Sequence, residues 1–169
     1  LSAYAATASA PSIASGRLSF ALGLQGPCAS VDTACSSGLM ALATAAQCAQ
    51  AMRSPVPLSG VALVGAASLI LSLCTSECFA AASMLSADGR CKTFDERANG
   101  YVRGEAVSTL TAAFAPSSAP SAASSELAGC GVQQDGRSAS LTAPSGAAQR
   151  SLIANVRSHI CAEARRSTE

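Results

Sequence analysis

The chain has 169 residues, enough for one domain with a sizeable core, and 49% of them are hydrophobic, which suits a buried α/β layer rather than a disordered segment. Only 12% are charged and the formal net charge is +1, so there is neither the basic footprint of a nucleic-acid binder nor an acidic solvating tail. The longest apolar stretch, 61–73, is short of the roughly 20 residues that cross a bilayer, and no membrane span is read.

The first element that the residues declare is a short apolar strand, Ala29-Ser30-Val31. Asp32 and Thr33 follow, both good N-cap types, and then an Ala/Leu/Met-rich stretch of helical character. Residues 37–53 carry Leu39, Leu42, Ala46 and Ala49 at helical spacing, with alanine on almost every other face, the pattern of a central, nearly fully buried helix. Pro55 and Pro57 are expected to end it. Val61-Ala62-Leu63-Val64 reads as a strand buried on both sides, and Gly65 as a turn or close approach. A helix is expected over 76–85, a turn at Ala87-Asp88-Gly89, and another strand over 107–114. Residues 115–125 are almost wholly Ser, Ala and Pro, a solvated, flexible connection within the single domain 1–169. Short strands over 127–132 and 138–141 precede a helix over 146–164, with Leu152, Ile153, Val156 and Ile160 on one face.

Cys35 stands where the strand turns into the helix, which marks it as a candidate nucleophile. The unpaired N–H groups and positive dipole end of a helix N-terminus favour a thiolate over a thiol, and the same N–H groups suit a developing oxyanion. The bland alternative is an inert buried thiol beside small residues. Ser36 and Ser37 have no accompanying base and are read as small first-turn residues. The other seven cysteines are mostly core candidates. Cys74 and Cys78 are spaced for one helix face, but without a second pair or a nearby histidine no metal is expected. Asp95, Arg103 and Glu105 are read as ion-pairing groups that hold a polar loop. The irregular cysteine spacing and a thiol catalyst favour reduced thiols in an intracellular setting, cytoplasmic or organellar.

Asp32-Thr33-Ala34-Cys35-Ser36-Ser37, preceded by Leu24-Gln25-Gly26-Pro27, resembles the nucleophile region of the β-ketoacyl synthases, in particular the ketosynthase domains of polyketide synthases. The resemblance extends to Pro11-Ser12-Ile13-Ala14-Ser15-Gly16-Arg17-Leu18-Ser19-Phe20, similar to the family's helix before that strand. It continues through Met84-Leu85-Ser86-Ala87-Asp88-Gly89-Arg90-Cys91-Lys92-Thr93-Phe94-Asp95 and Tyr101-Val102-Arg103-Gly104-Glu105. Gln134-Asp135-Gly136-Arg137-Ser138 and Leu141-Thr142-Ala143-Pro144 complete it.

That resemblance implies the α/β thiolase-like fold, here most of the N-terminal half, a mainly parallel sheet layered with helices around a buried central helix. It implies that Cys35 accepts an acyl group from a thioester, with its own backbone N–H as half of an oxyanion site and Asp32, Thr33, Ala34, Ser36 and Ser37 supporting the turn. In a complete enzyme a decarboxylative condensation follows, in polyketide or fatty acid biosynthesis. The implied partners are an acyl carrier protein, whose phosphopantetheine arm carries the substrate with no other cofactor, and a second copy paired through the strand at Cys28 to Val31, or the remainder of a larger synthase.

Several features depart from the family. Its members use two histidines, in Glu-Ala-His-Gly-Thr-Gly-Thr-like and Asn-His-Gly-like blocks, and a lysine, and none of these motifs occurs here. His159, the single histidine, is read as a helix-surface residue. Ala106 stands where a glycine is usual, Gln133 where asparagine is common, and Ala66-Ala67-Ser68 replaces a Gly-Gly-Val-Asn-like run. With Leu1 at its start, the chain is expected to be a piece of a longer polypeptide, incompetent for condensation alone. Two other readings stand beside this one: a ketosynthase-derived structural or interaction subunit, and thiolase-like or chalcone-synthase-like chemistry on the same fold.

Overall fold

Helix α1 (Ala5–Ser9) and a 3₁₀ turn (Pro11–Ile13) lead into α2 (Ala14–Leu22) in the computed structural model of the chain, which describes residues 2–51, 60–114 and 125–166. Gly23 ends α2 in the left-handed region at φ +67°. There the Leu24 N–H reaches back to the Ser19 carbonyl at 2.9 Å, so that glycine's freedom closes the helix and satisfies a terminal carbonyl. By their contacts the residues divide into two compact units, Leu1–Ala62 with Ala113–Glu169, and Leu63–Ala112.

In the first unit, the segment Ala29-Ser30-Val31 is irregular chain rather than the expected strand. Ser30 Oγ accepts the Ser15 N–H at 3.2 Å, a side-chain tie to α2 in place of a ladder. A 3₁₀ turn (Ala34–Ser36) then runs into α3 (Ser37–Ala51). Burial of α3 follows one stripe, with Ala43 and Ala46 buried, whereas Leu39 is 75% exposed. The expected end of this helix at Arg53, with Pro55 and Pro57, lies outside the described residues, as does the Ser/Ala/Pro-rich stretch except Ser125.

The first unit also holds α5 (Gly146–Arg166). Ser145 begins it: its Oγ accepts the Ala148 N–H at 3.3 Å, an N-cap bond, while its own N–H is held by Asp135 Oδ2 at 2.7 Å. Leu152, Val156 and Ile160, at i, i+4 and i+8, are half-buried, and Ile153 is exposed off that stripe. Residues 127–132 form no strand. Gly129 and Gly131 bring their backbone so close to α5 that a Cβ at Gly131 would lie 2.6 Å from Val156 Cγ2, so this segment lies on the helix instead of joining a ladder. Residues 138–141 form no strand and run into a turn over 140–143, closed by the Ala143 N–H on the Ser140 carbonyl at 3.1 Å.

Strands β1 (Gly60–Ser68) and β2 (Ala106–Phe114) pair as a two-stranded sheet, most of it within the second unit. Strand β1 is not buried on both sides. Val64 is buried and Ala62 and Ala66 are partly covered, while Val61, Leu63 and Ala67 are exposed. This period of two is the signature of a sheet with one covered face. Gly65 neither turns nor is approached, since a Cβ there meets nothing within 4 Å.

Helix α4 (Leu73–Ala81) begins and ends earlier than the expected 76–85. Ser83 takes up φ +55° and the Met84 N–H bonds the Phe79 carbonyl at 3.0 Å, a left-handed stop made without glycine. Arg103 then fastens α4 to the following chain: its Nη1 donates to Ser76 Oγ at 2.8 Å, and its guanidinium lies 5.4 Å from the Phe79 ring centre.

Candidate active site

Cys35 occupies the middle of the 3₁₀ turn that feeds α3, with its thiol exposed. The turn is built around a strained residue, Ala34, at φ +54°. The left-handed region costs an L-residue with a Cβ on the order of 1–2 kcal/mol, and such strain persists only where neighbouring groups over-determine the backbone.

Those neighbours are Asp32, Thr33, Ser36 and Ser37, four of the five residues expected around the cysteine, the fifth being Ala34 itself. Asp32 Oδ1 accepts the Ala34 N–H at 3.0 Å, an Asx turn. The Thr33 N–H donates to Ser37 Oγ at 2.9 Å, and the Ser37 hydroxyl donates to the Ala34 carbonyl at 2.7 Å. Ser36 Oγ lies 2.8 Å from both the Thr33 carbonyl oxygen and Thr33 Oγ1, so it donates to the carbonyl and can accept from the threonine hydroxyl. The Ser36 N–H also reaches the Thr33 carbonyl, at 3.2 Å. Thr33 therefore serves the turn as a hub and makes no side-chain cap hydrogen bond. Among the described residues, the Cys35 N–H meets no backbone or side-chain acceptor. Sequence reasoning places Ser36 and Ser37 here for their small size. It misses the role of their hydroxyls: that of Ser37 ties down the strained peptide, and that of Ser36 holds Thr33.

The second unit contains a polar loop around Ser86, which is 9% exposed. Its Oγ lies 2.5 Å from Asp88 Oδ1 and 2.9 Å from Asn99 Oδ1, and Lys92 Nζ reaches Asp88 Oδ2 at 2.7 Å. The Lys92 ammonium first, and the Ser86 hydroxyl next, hold the Asp88 carboxyl well below the ordinary carboxylate range. Asp88 and Lys92 are four residues apart, a spacing that could have signalled the pair. Asp95, Arg103 and Glu105 do not form one cluster. Asp95 pairs with Arg97 at 2.7 Å, which lowers the carboxyl and raises the guanidinium. Arg103 meets Ser76 and Phe79, and Glu105 Oε1 accepts the Ile70 N–H at 2.6 Å.

All eight cysteines are free and exposed, among them Cys74 and Cys78 on α4, so the expected core placement of most of them is not what the structure shows. Among the described residues, no three His, Cys, Asp or Glu side chains converge to hold a metal ion, and no helix is long and apolar enough to cross a membrane. His159 is exposed on α5.

Comparison with known proteins shows the family to which the chain belongs. Residues 1–111 match the family described as "Beta-ketoacyl synthase, N-terminal domain". Over 156 residues the chain is 39% identical to a phenolphthiocerol/phthiocerol polyketide synthase of Mycobacterium tuberculosis, a match covering 91% of this chain and 7% of that synthase. Among solved structures it is similar to the ketosynthase from module 6 of the bacillaene synthase from Bacillus subtilis, with a TM-score of 0.71 and 32% identity over 87% of this chain and 26% of that one. The oxazolomycin ketosynthase domain of Streptomyces albus gives a TM-score of 0.76 and 26% identity, covering 90% and 27%. The chain thus spans about a quarter of the ketosynthase structures it matches, and shares their thiolase-like α/β fold over that part. With motif, fold and family description in agreement, the chain belongs to the β-ketoacyl synthases, a transferase family, as part of a ketosynthase N-terminal domain of the polyketide synthase kind.

Proposed function

We propose that Cys35 is the acyl-accepting nucleophile of a polyketide-type ketosynthase. Its deprotonated sulfur attacks the carbonyl of an acyl group carried as a thioester on the phosphopantetheine arm of an acyl carrier protein. The new Cys35 thioester bond forms as the carrier's carbon–sulfur bond breaks, and the carrier thiol leaves with a proton. In a complete synthase, a malonyl-type extender then loses carbon dioxide, and its carbanion attacks the acyl-cysteine to give a β-ketoacyl product. The phosphopantetheine arm is the substrate's carrier, and no other cofactor is invoked.

The observation that carries this reading is the placement of Cys35 on an exposed, strained turn inside the family's nucleophile motif. Its N–H, without an acceptor among the described residues, supports the role of one oxyanion donor, positioned before any charge develops. The first step, self-acylation, is the part of this chemistry that the Cys35 turn itself carries. A second copy, docked through the segment at Cys28 to Val31, completes the proposed assembly along with the carrier protein.

The reading is tested by offering the chain a short acyl thioester and mapping modified residues by peptide mass spectrometry. Labelling concentrated at Cys35 and lost in Cys35→Ala is the expected result. Equal labelling of several cysteines, or none at Cys35, overturns it.

A further inference from the structure

We infer that Ser37 is the positioning residue of this site: its hydroxyl clamps the left-handed Ala34 and so fixes where Cys35 and its N–H point. The inference rests on the reading of Cys35 as the nucleophile and adds to it the device that holds that nucleophile in place.

A serine hydroxyl carries one donor and two acceptor positions, and Ser37 uses both kinds within this turn. It accepts the Thr33 N–H at 2.9 Å and donates to the Ala34 carbonyl at 2.7 Å. The two contacts straddle the strained residue, one on its N-terminal side and one on its own carbonyl. The Ser37 backbone N–H also bonds that carbonyl, so α3 grips the turn by two groups of one residue. Asp32 adds a single bond, to the Ala34 N–H. The Ser36 hydroxyl bonds only Thr33 and leaves Ala34 unrestrained. Ser37 is thus the side chain that makes the most bonds across Ala34 and holds its carbonyl, and relaxation of Ala34 to negative φ would swing the next peptide, which contains the Cys35 N–H. Acyl transfer needs the sulfur and this N–H aimed at the same carbonyl. Alkylation by a small haloacetamide needs only an accessible sulfur.

The difference between those two reactions is the test. In the full chain, Ser37→Ala lowers the rate of Cys35 acylation by a short acyl thioester about tenfold, the loss expected for a hydrogen-bond pair of this kind. Iodoacetamide alkylation of Cys35, read on the same peptide, stays within about twofold. Ser37→Thr keeps the hydroxyl and restores acylation. Unchanged acylation in Ser37→Ala overturns the inference, and so does an equal fall in both reactions, which means that the fold rather than the aim was lost. The clamp is also read without chemistry, because Thr33 amide exchange speeds up about tenfold in Ser37→Ala. If the parent chain takes no acyl group at Cys35, the nucleophile reading fails by itself. Unchanged Thr33 exchange overturns the clamp whatever the acylation result.

Discussion

Replacing Gly100 by alanine should open the polar loop of the second unit. Gly100 sits at φ +133°, and a Cβ built there would lie 2.5 Å from the Leu85 carbonyl carbon, 2.6 Å from the Ser86 nitrogen and 2.7 Å from the Met84 carbonyl oxygen. All three are backbone atoms, so no side chain can swing aside. Relief requires the two segments to separate by roughly 1 Å, which the neighbouring hydrogen bonds do not survive. Those are the Tyr101 N–H on the Met84 carbonyl at 3.0 Å and the Ser86 N–H on the Tyr101 carbonyl at 2.9 Å, which form a parallel bridge between Leu85 and Tyr101. Losing both costs about 2 kcal/mol, and holding alanine at that φ costs about 1–3 kcal/mol more, for a local destabilisation of about 3–5 kcal/mol. Amide exchange at Ser86 and Tyr101 should therefore accelerate at least about a hundredfold, since each 1.4 kcal/mol is tenfold. Gly104→Ala is the control, because a Cβ there meets nothing within 4 Å and φ is ordinary. It should leave both amides protected. If Gly100→Ala exchanges at those amides like the parent chain, the close approach and the argument built on it are wrong.

Two more outcomes follow from the same geometry. Because Lys92 and Ser86 hold Asp88 below its ordinary pKa, its stabilising contribution is present above about pH 4 and is lost as the pH falls further. Acid titration followed by amide exchange of residues 84–101 should show the loop loosening there, and Asp88→Asn should reduce that pH dependence to the share left by Asp95, whose carboxyl Arg97 also lowers; a loop equally acid-sensitive in both would contradict it. Gly131→Ala should destabilise the seat of α5 by about 1–3 kcal/mol through overpacking against Val156 and Leu152. Adding Val156→Ala should recover part of the loss in thermal denaturation followed by circular dichroism, and additive losses would refute the contact.

The tight turn around Cys35 was legible in the sequence because its parts are contiguous. Asp32 to Ser37 lie within one turn, and residue types that favour caps and tight turns can reach one another there without help from distant chain. Helix α5 was legible for a similar local reason, since its apolar stripe repeats at helical spacing over several turns. The sidedness of β1 was not. Val61, Ala62, Leu63 and Val64 are all apolar, so a strand covered on one face and a strand covered on two read alike, and which alternate residues stay exposed depends on layers set elsewhere. Residues 127–132 misled for the converse reason. Leu127 and Val132 suit a strand, but Gly129 and Gly131 admit the Val156 and Ile160 side chains so closely that the segment lies along α5. The Ser37 clamp was hidden because it hangs on the sign of φ at Ala34, and alanine, unlike glycine, gives no warning of a left-handed conformation.

The outward-facing apolar side chains also govern how this chain behaves in a tube. Phe20, Leu71, Phe94 and Leu141 stand almost entirely in solvent, so collisions between copies bring oily surface against oily surface. Sulfate or phosphate at high concentration should therefore drive precipitation, a dye that brightens in greasy surroundings should light up against the native chain, and dilute, low-salt handling should keep it dispersed.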